Sequence, residues 1–119
     1  MGSLIPRHHS LRDVASSGSI AASAQANSAG AKPVFVGFNG CYDWQFVNWY
    51  FIKFVGSNPF GFGGIDIKSY YMGKHRLAWR TTTSSQLPAE YRPDTAQTHN
   101  ALDDAKAQAS IFAKMLDAE

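Results

Sequence analysis

The sequence predicts an α/β domain with an incomplete sheet, and three observations carry that reading. Val34-Phe-Val-Gly-Phe38 is apolar on both alternating sets, the pattern of a strand covered on both faces. Two longer segments, Asp43 to Phe54 and Leu102 to Leu116, carry apolar residues at helical spacing. Only one other strand-like run, Ile65-Asp-Ile67, lies between them, so periodicity yields two strands. Two strands are too few for a convincing sheet, and completion must come from the first 31 residues or from another chain.

In chain order, residues 1–31 read as a flexible leader and 32–119 as the folded unit. Ser16 to Gly30 is almost entirely Ser, Ala, Gly, Gln and Asn, with Ile20 its only large apolar residue, so it has little to bury. Asn39-Gly40 breaks the first strand with a turn signal. A helix is expected from near Asp43, placing residues 43, 46, 47, 50, 51 and 54 inward and leaving Trp49 and Ile52 outside that face. The Gly56–Gly64 stretch is a Gly- and Pro-punctuated loop that matches neither a dinucleotide fingerprint nor a P-loop. Ile65–Ile67 reads as a short strand leading into a helical turn around Lys68 to Met72. Gly73 to Thr98 is polar, interrupted by Pro88 and Pro93, and reads as connection with short helices. The last helix is expected to bury a stripe of Leu102, Ala105, Ala109, Phe112 and Leu116.

A net charge of +2 does not by itself mark a nucleic-acid binder. Its distribution is more informative: Lys68, Lys74, Arg76, Arg80 and Arg92 face one acid, Glu90, across that span. Such a segment suits either a phosphate backbone or solvent. The single cysteine, Cys41, excludes an internal disulfide framework and suits a reducing compartment, so a cytoplasmic location is expected. It lies in a turn rather than beside a histidine, which argues against a cysteine nucleophile. No apolar run reaches membrane-spanning length, and no membrane partner is expected.

The residues suited to chemistry lie at the starts of the two long helices. Asp43 follows an apolar strand and opens a helix, where a carboxylate serves either as a capping acid or as a ligand at the carboxyl end of a strand. In the run His99-Asn-Ala-Leu-Asp-Asp-Ala105, Asn100 suits a helix cap with Asp103 at the third helical position. On an ideal helix His99 and Asp104 would be about 140° apart, so they share a site only if His99 belongs to the lead-in turn. Asp43 and Asp104 are the oxygen ligands that hard Mg²⁺ or Mn²⁺ ions prefer, and a neutral His99 could accept a proton from water.

Phe38-Asn-Gly-Cys-Tyr-Asp-Trp-Gln-Phe46 and the run from His99 to Ala105 together resemble the second and third conserved stretches of the DEDDh 3′–5′ exonucleases. The resemblance covers about Lys32 to Leu116 and implies a partial ribonuclease H-like exonuclease fold. It implies that Asp43 and Asp104 are metal carboxylates, that His99 is the general base, and that Asn39 accompanies Asp43. Tyr42 stands where Phe is usual, and Asp103 is an extra acid. Family members begin with a strand carrying Asp-x-Glu, whose acids complete a site for two Mg²⁺ or Mn²⁺ ions. Here Asp13 is the only acid before Asp43 and has no Glu two residues on.

The expected function is therefore a 3′–5′ exonuclease-like domain for metal-dependent hydrolysis of terminal phosphodiesters in DNA or RNA, weakly active or inactive as this chain alone. The expected partner is a single-stranded DNA or RNA 3′ end, contacted by Asn39, Tyr42, Trp44, Lys74, Arg76 and Arg80. The competing reading is a non-catalytic nucleic-acid-binding or assembly domain, in which an uncovered strand edge and an aromatic helix seek a second copy or a complementary chain.

Overall fold

A computed structural model describes residues 20–22, 33–94 and 98–118. Apart from 20–22, the segment read as a leader lies outside the described residues, as does Asp13. The elements run β1 (Ile20–Ala22), β2 (Phe35–Gly37), α1 (Gly40–Val55), β3 (Gly64–Asp66) and α2 (Ile67–His75). Three 3₁₀ turns follow, Trp79–Thr81, Ser84–Gln86 and Ala89–Tyr91, before α3 (Ala101–Asp117). In the sheet β2 is central, antiparallel to β1 and parallel to β3. The third strand thus comes from the Ser/Ala-rich stretch, where Ile20 pairs with Gly37 and Ala22 with Phe35.

The doubly apolar pattern of β2 becomes a strand covered on both faces. Phe35 points to one side, where it packs with Val47, Phe51 and Phe60 beneath α1. Val36, with Phe38 just beyond the strand, joins Ile67, Tyr71, Leu87, Tyr91, Ile111 and Met115 on the other side. This alternation is the two-residue period of an extended chain. It sets α1 on one face of the sheet and α2, α3 and the 3₁₀ turns on the other.

Entry into α1 is sharper than the sequence suggests, since the helix begins at Gly40 rather than near Asp43. Asn39 adopts a left-handed conformation (φ 54°), a region that Asn tolerates better than most residues. Gly40 lies close to β3, where a Cβ would come within 3.4 Å of the carbonyl oxygen of Ile65. Gly56, also left-handed, ends α1 by donating to the carbonyls of Phe51 and Ile52. Asn58 then fixes the loop, donating to Asn48 Oδ1 and accepting from Phe60 N, which seats the Phe60 ring against Phe35 and Phe51.

Two packing expectations need correction. On α1 the inward face is Gly40, Asp43, Val47 and Phe51, whereas Phe46 is exposed and Tyr50 and Phe54 are half-buried. On α3 the buried face is Asp104, Ala107, Gln108, Ile111 and Met115. Leu102, Ala109 and Leu116, expected inside, are exposed. Helix α3 is thus rotated so that two polar side chains face inward among apolar ones. Among the described residues, no helix is long and apolar enough to cross a membrane.

Candidate functional site

Both helix starts singled out in the sequence reach the same end of the sheet. Helix α1 leaves the carboxyl end of β2, and α2 leaves the carboxyl end of the parallel β3. Three contacts fix the direction of α3. Gln108 Oε1 accepts from Phe38 N at 2.9 Å, at the end of β2. The Tyr70 and Phe112 rings meet further along, at 5.5 Å. Lys74, near the end of α2, donates to the carbonyls of Met115 and Ala118, near the end of α3. Helices α2 and α3 therefore run in the same direction, and Asp104, one turn before Gln108, lies toward the strand ends with Asp43.

Each acid is in the first turn of its helix and buried there. Asp104 is 6% exposed, and one carboxylate oxygen, Oδ1, has no hydrogen-bond donor among the described residues. An acid in a first turn gains about 0.3–1 kcal/mol from the helix dipole. Leaving a buried acceptor unsatisfied costs about 1–3 kcal/mol, and more for a charged group. The cost exceeds the gain, and an acid facing water would gain from the dipole without that cost. Helix capping alone therefore does not account for the inward carboxylate.

The lead-in to α3 is built as the sequence suggests. Asn100 is the N-cap, its Oδ1 accepting from Leu102 N at 3.0 Å. Asp103 does not close a capping box on Asn100; its Oδ2 accepts from Thr98 Oγ1 at 2.7 Å. Between Thr98 and Asn100, His99 is left-handed (φ 60°) and exposed, outside the helix.

The expected pair of Mg²⁺ or Mn²⁺ ions does not fit this arrangement. Among the described residues no group of three or more His, Cys, Asp or Glu side chains comes together to hold a metal ion. Asp66, a third acid at this end, has both oxygens engaged: Oδ1 accepts from Gly40 N, and Oδ2 accepts from the amide and hydroxyl of Ser69. Two carboxylates and an exposed histidine leave the charge of two divalent ions poorly offset. No two-ion centre forms from these residues.

The residues expected to touch nucleic acid have distinct environments. Asn39, Arg76 and Arg80 are exposed, Arg76 as the left-handed C-cap of α2. Tyr42 is 60% exposed, its ring edge-on to Phe46. Trp44 is half-buried, packs against Phe35 at 5.3 Å, and lines a cavity of about 220 Å³ with Gly40, Cys41, Phe62 and Asp66. The Lys74 ammonium is engaged with the carbonyls that end α3. Sequence reasoning missed Asp66, which joins the starts of α1 and α2, and Gln108, which ties α3 to the end of β2. An Asp followed three residues later by Ser at a strand-to-helix junction was the available signal for Asp66; a mid-helix Gln gives none.

The small open sheet, with α1 on one face and α2 and α3 on the other, is consistent with a partial ribonuclease H-like exonuclease fold. No protein-family model matches the chain. Among curated proteins, the 3′–5′ DNA exonuclease Cap18 of Escherichia coli is 48% identical over 79 residues, 66% of this chain and 42% of that protein. This relative supports the resemblance to the DEDDh 3′–5′ exonucleases over those residues, and with it a nuclease-like domain. It spans less than half the length of that relative.

Proposed function

We propose that this domain receives the 3′ end of single-stranded DNA at the strand ends carrying Asp43 and Asp104, and that alone it binds that end far better than it cleaves it. The carrying observation is that both acids turn inward at one end of the sheet in a chain related to a DNA exonuclease. In this reading His99 accepts the proton of the attacking water, while Asn39 and Tyr42, beside Asp43, contact the terminal nucleotide. Cleavage requires the charge developing on the phosphate to be offset. Two carboxylates do not offset it, so hydrolysis by the described residues alone is disfavoured, while binding draws on the exposed cations Arg76 and Arg80. Work in the cytoplasm suits the exposed Cys41 thiol.

Fluorescence anisotropy with a 5′-labelled single-stranded oligonucleotide tests the binding half of this reading. Binding that weakens with salt and falls sharply for a blunt duplex is expected. Equal affinity for the duplex, or none for either, would overturn the proposal.

One observation favours the assembly reading. The outward side of α1 exposes Tyr42, Phe46, Trp49 and Ile52. Light scattering separates the two, since a concentration-independent monomer that still binds the oligonucleotide excludes self-assembly as the main role.

A further inference from the structure

We infer that Trp79, backed by Lys68 and adjacent to Arg80, is a platform for one nucleotide of a single strand whose 3′ end lies at Asp43, with the indole stacking on a base and the cations meeting the phosphates. The inference rests on the proposed function and adds a contact to it.

Trp79 opens a 3₁₀ turn, and its side chain is 52% exposed, while Thr82 three residues later is wholly buried. That inverts the usual order, in which the large ring goes inside and the hydroxyl stays out. The turn is held in this arrangement by its own bonds. Thr82 Oγ1 donates to Trp79 O at 2.7 Å, and Thr81 donates to Ala78 O through both its amide and its hydroxyl. A large apolar surface is thus displayed on a braced backbone, as suits a surface that meets a flat partner.

The partner's charge follows from the surroundings. The Lys68 ammonium lies 4.1 Å from the Trp79 ring centroid, a cation–π contact that occupies part of one ring face. From Ile67 to Ala89 the chain has no acid and carries Lys68, Lys74, Arg76 and Arg80. With Lys74 bound to the end of α3, Lys68, Arg76 and Arg80 remain to meet an anion. A stacking ring on a stretch that carries cations and no acid is the combination that tracks a single strand, since every base offers a π-face and every link a phosphate.

Position links the platform to the acidic site. Lys68 is in the first turn of α2, two residues after Asp66, whose carboxylate holds the amide of Gly40 at the start of α1. The platform therefore lies on the α2 side of the junction that also holds the start of α1, the helix carrying Asp43. Tyr42 and Asn39 sit on the α1 side of this junction and Trp79 on the α2 side.

Oligonucleotides carrying 5-iododeoxyuridine at successive positions, photo-crosslinked to the full chain and mapped by mass spectrometry, are expected to mark Trp79 from a position upstream of the 3′ terminus. Trp79→Ala is expected to weaken single-strand binding about 5- to 150-fold, with most affinity kept by Trp79→Phe. Lys68→Gln and Arg80→Gln should each reduce the slope of log affinity against log salt by about 0.7. Should Trp79→Ala fold poorly, these two slopes decide the matter. Unchanged affinity in Trp79→Ala, or unchanged slopes, with wild-type binding intact overturns the platform and leaves the proposed function standing. Absence of single-strand binding by the wild type overturns both.

Discussion

Asp104 and Tyr91 are both polar side chains placed inside the molecule, and their environments differ in kind. Asp104 leaves an oxygen without a donor, at a cost that helix capping does not offset. Tyr91 is 2% exposed and bonds His75 Nε2 through its hydroxyl at 2.9 Å, between the rings of Tyr71 and His75. Burial pushes the Tyr91 hydroxyl above its ordinary pKa of 10.0, and neighbouring Glu90 adds to the effect. The folded state thus holds this proton more tightly than the unfolded chain. The associated stability is full below pH 10 and is lost as pH rises through the folded value. Tyr91→Phe should lower stability by about 0.5–1.5 kcal/mol near neutral pH through loss of the bond to His75. It should also flatten the decline above pH 10. Urea midpoints measured across that range check both effects, and an unchanged alkaline slope would contradict the assignment.

At the scale of elements, the site depends on how helices begin. Asp66 is both the N-cap of α2 and the acceptor for the first amide of α1, so one carboxylate joins two helix starts. Asp66→Ala should cost about 2–3 kcal/mol, combining a lost cap with a lost buried-end bond, while Asp66→Asn keeps most of that stability. Denaturant titration of the two variants checks this, and equal losses would contradict the shared-cap account. The same scale shows what the sequence made legible. Strand β2, the outward Trp49 and Ile52, the Asn100 cap and the lead-in position of His99 all follow from local pattern. The buried face of α3 does not. Apolar spacing pointed to Leu102, Ala105, Ala109, Phe112 and Leu116, but Gln108 faces inward to bind the amide of Phe38, and Asp104 shares its face. The sequence carries a second apolar stripe, Ala107, Ile111 and Met115, and local periodicity does not choose between the two; the structure buries that one, together with Gln108 bonded to the Phe38 amide. The apolar residues beside Asp66 suggest a strand running through it, whereas in the structure Asp66 ends β3 and caps α2.

For the whole molecule, the shortage of strands was legible, but its remedy was not. A segment of Ser, Ala and Gly has weak strand propensity, yet Ile20–Ala22 pairs along β2. The acidic pair was legible as residues and as helix positions, whereas the two-ion centre implied by family resemblance is not assembled by the described residues. We propose that this exonuclease-like domain engages a single-stranded 3′ end without efficiently cleaving it. The most direct test incubates the purified chain with 5′-labelled single-stranded DNA, with a divalent cation supplied, and follows shortening on a sequencing gel. The account predicts bound but essentially full-length DNA; rapid progressive loss from the 3′ end, abolished by His99→Ala, would contradict it.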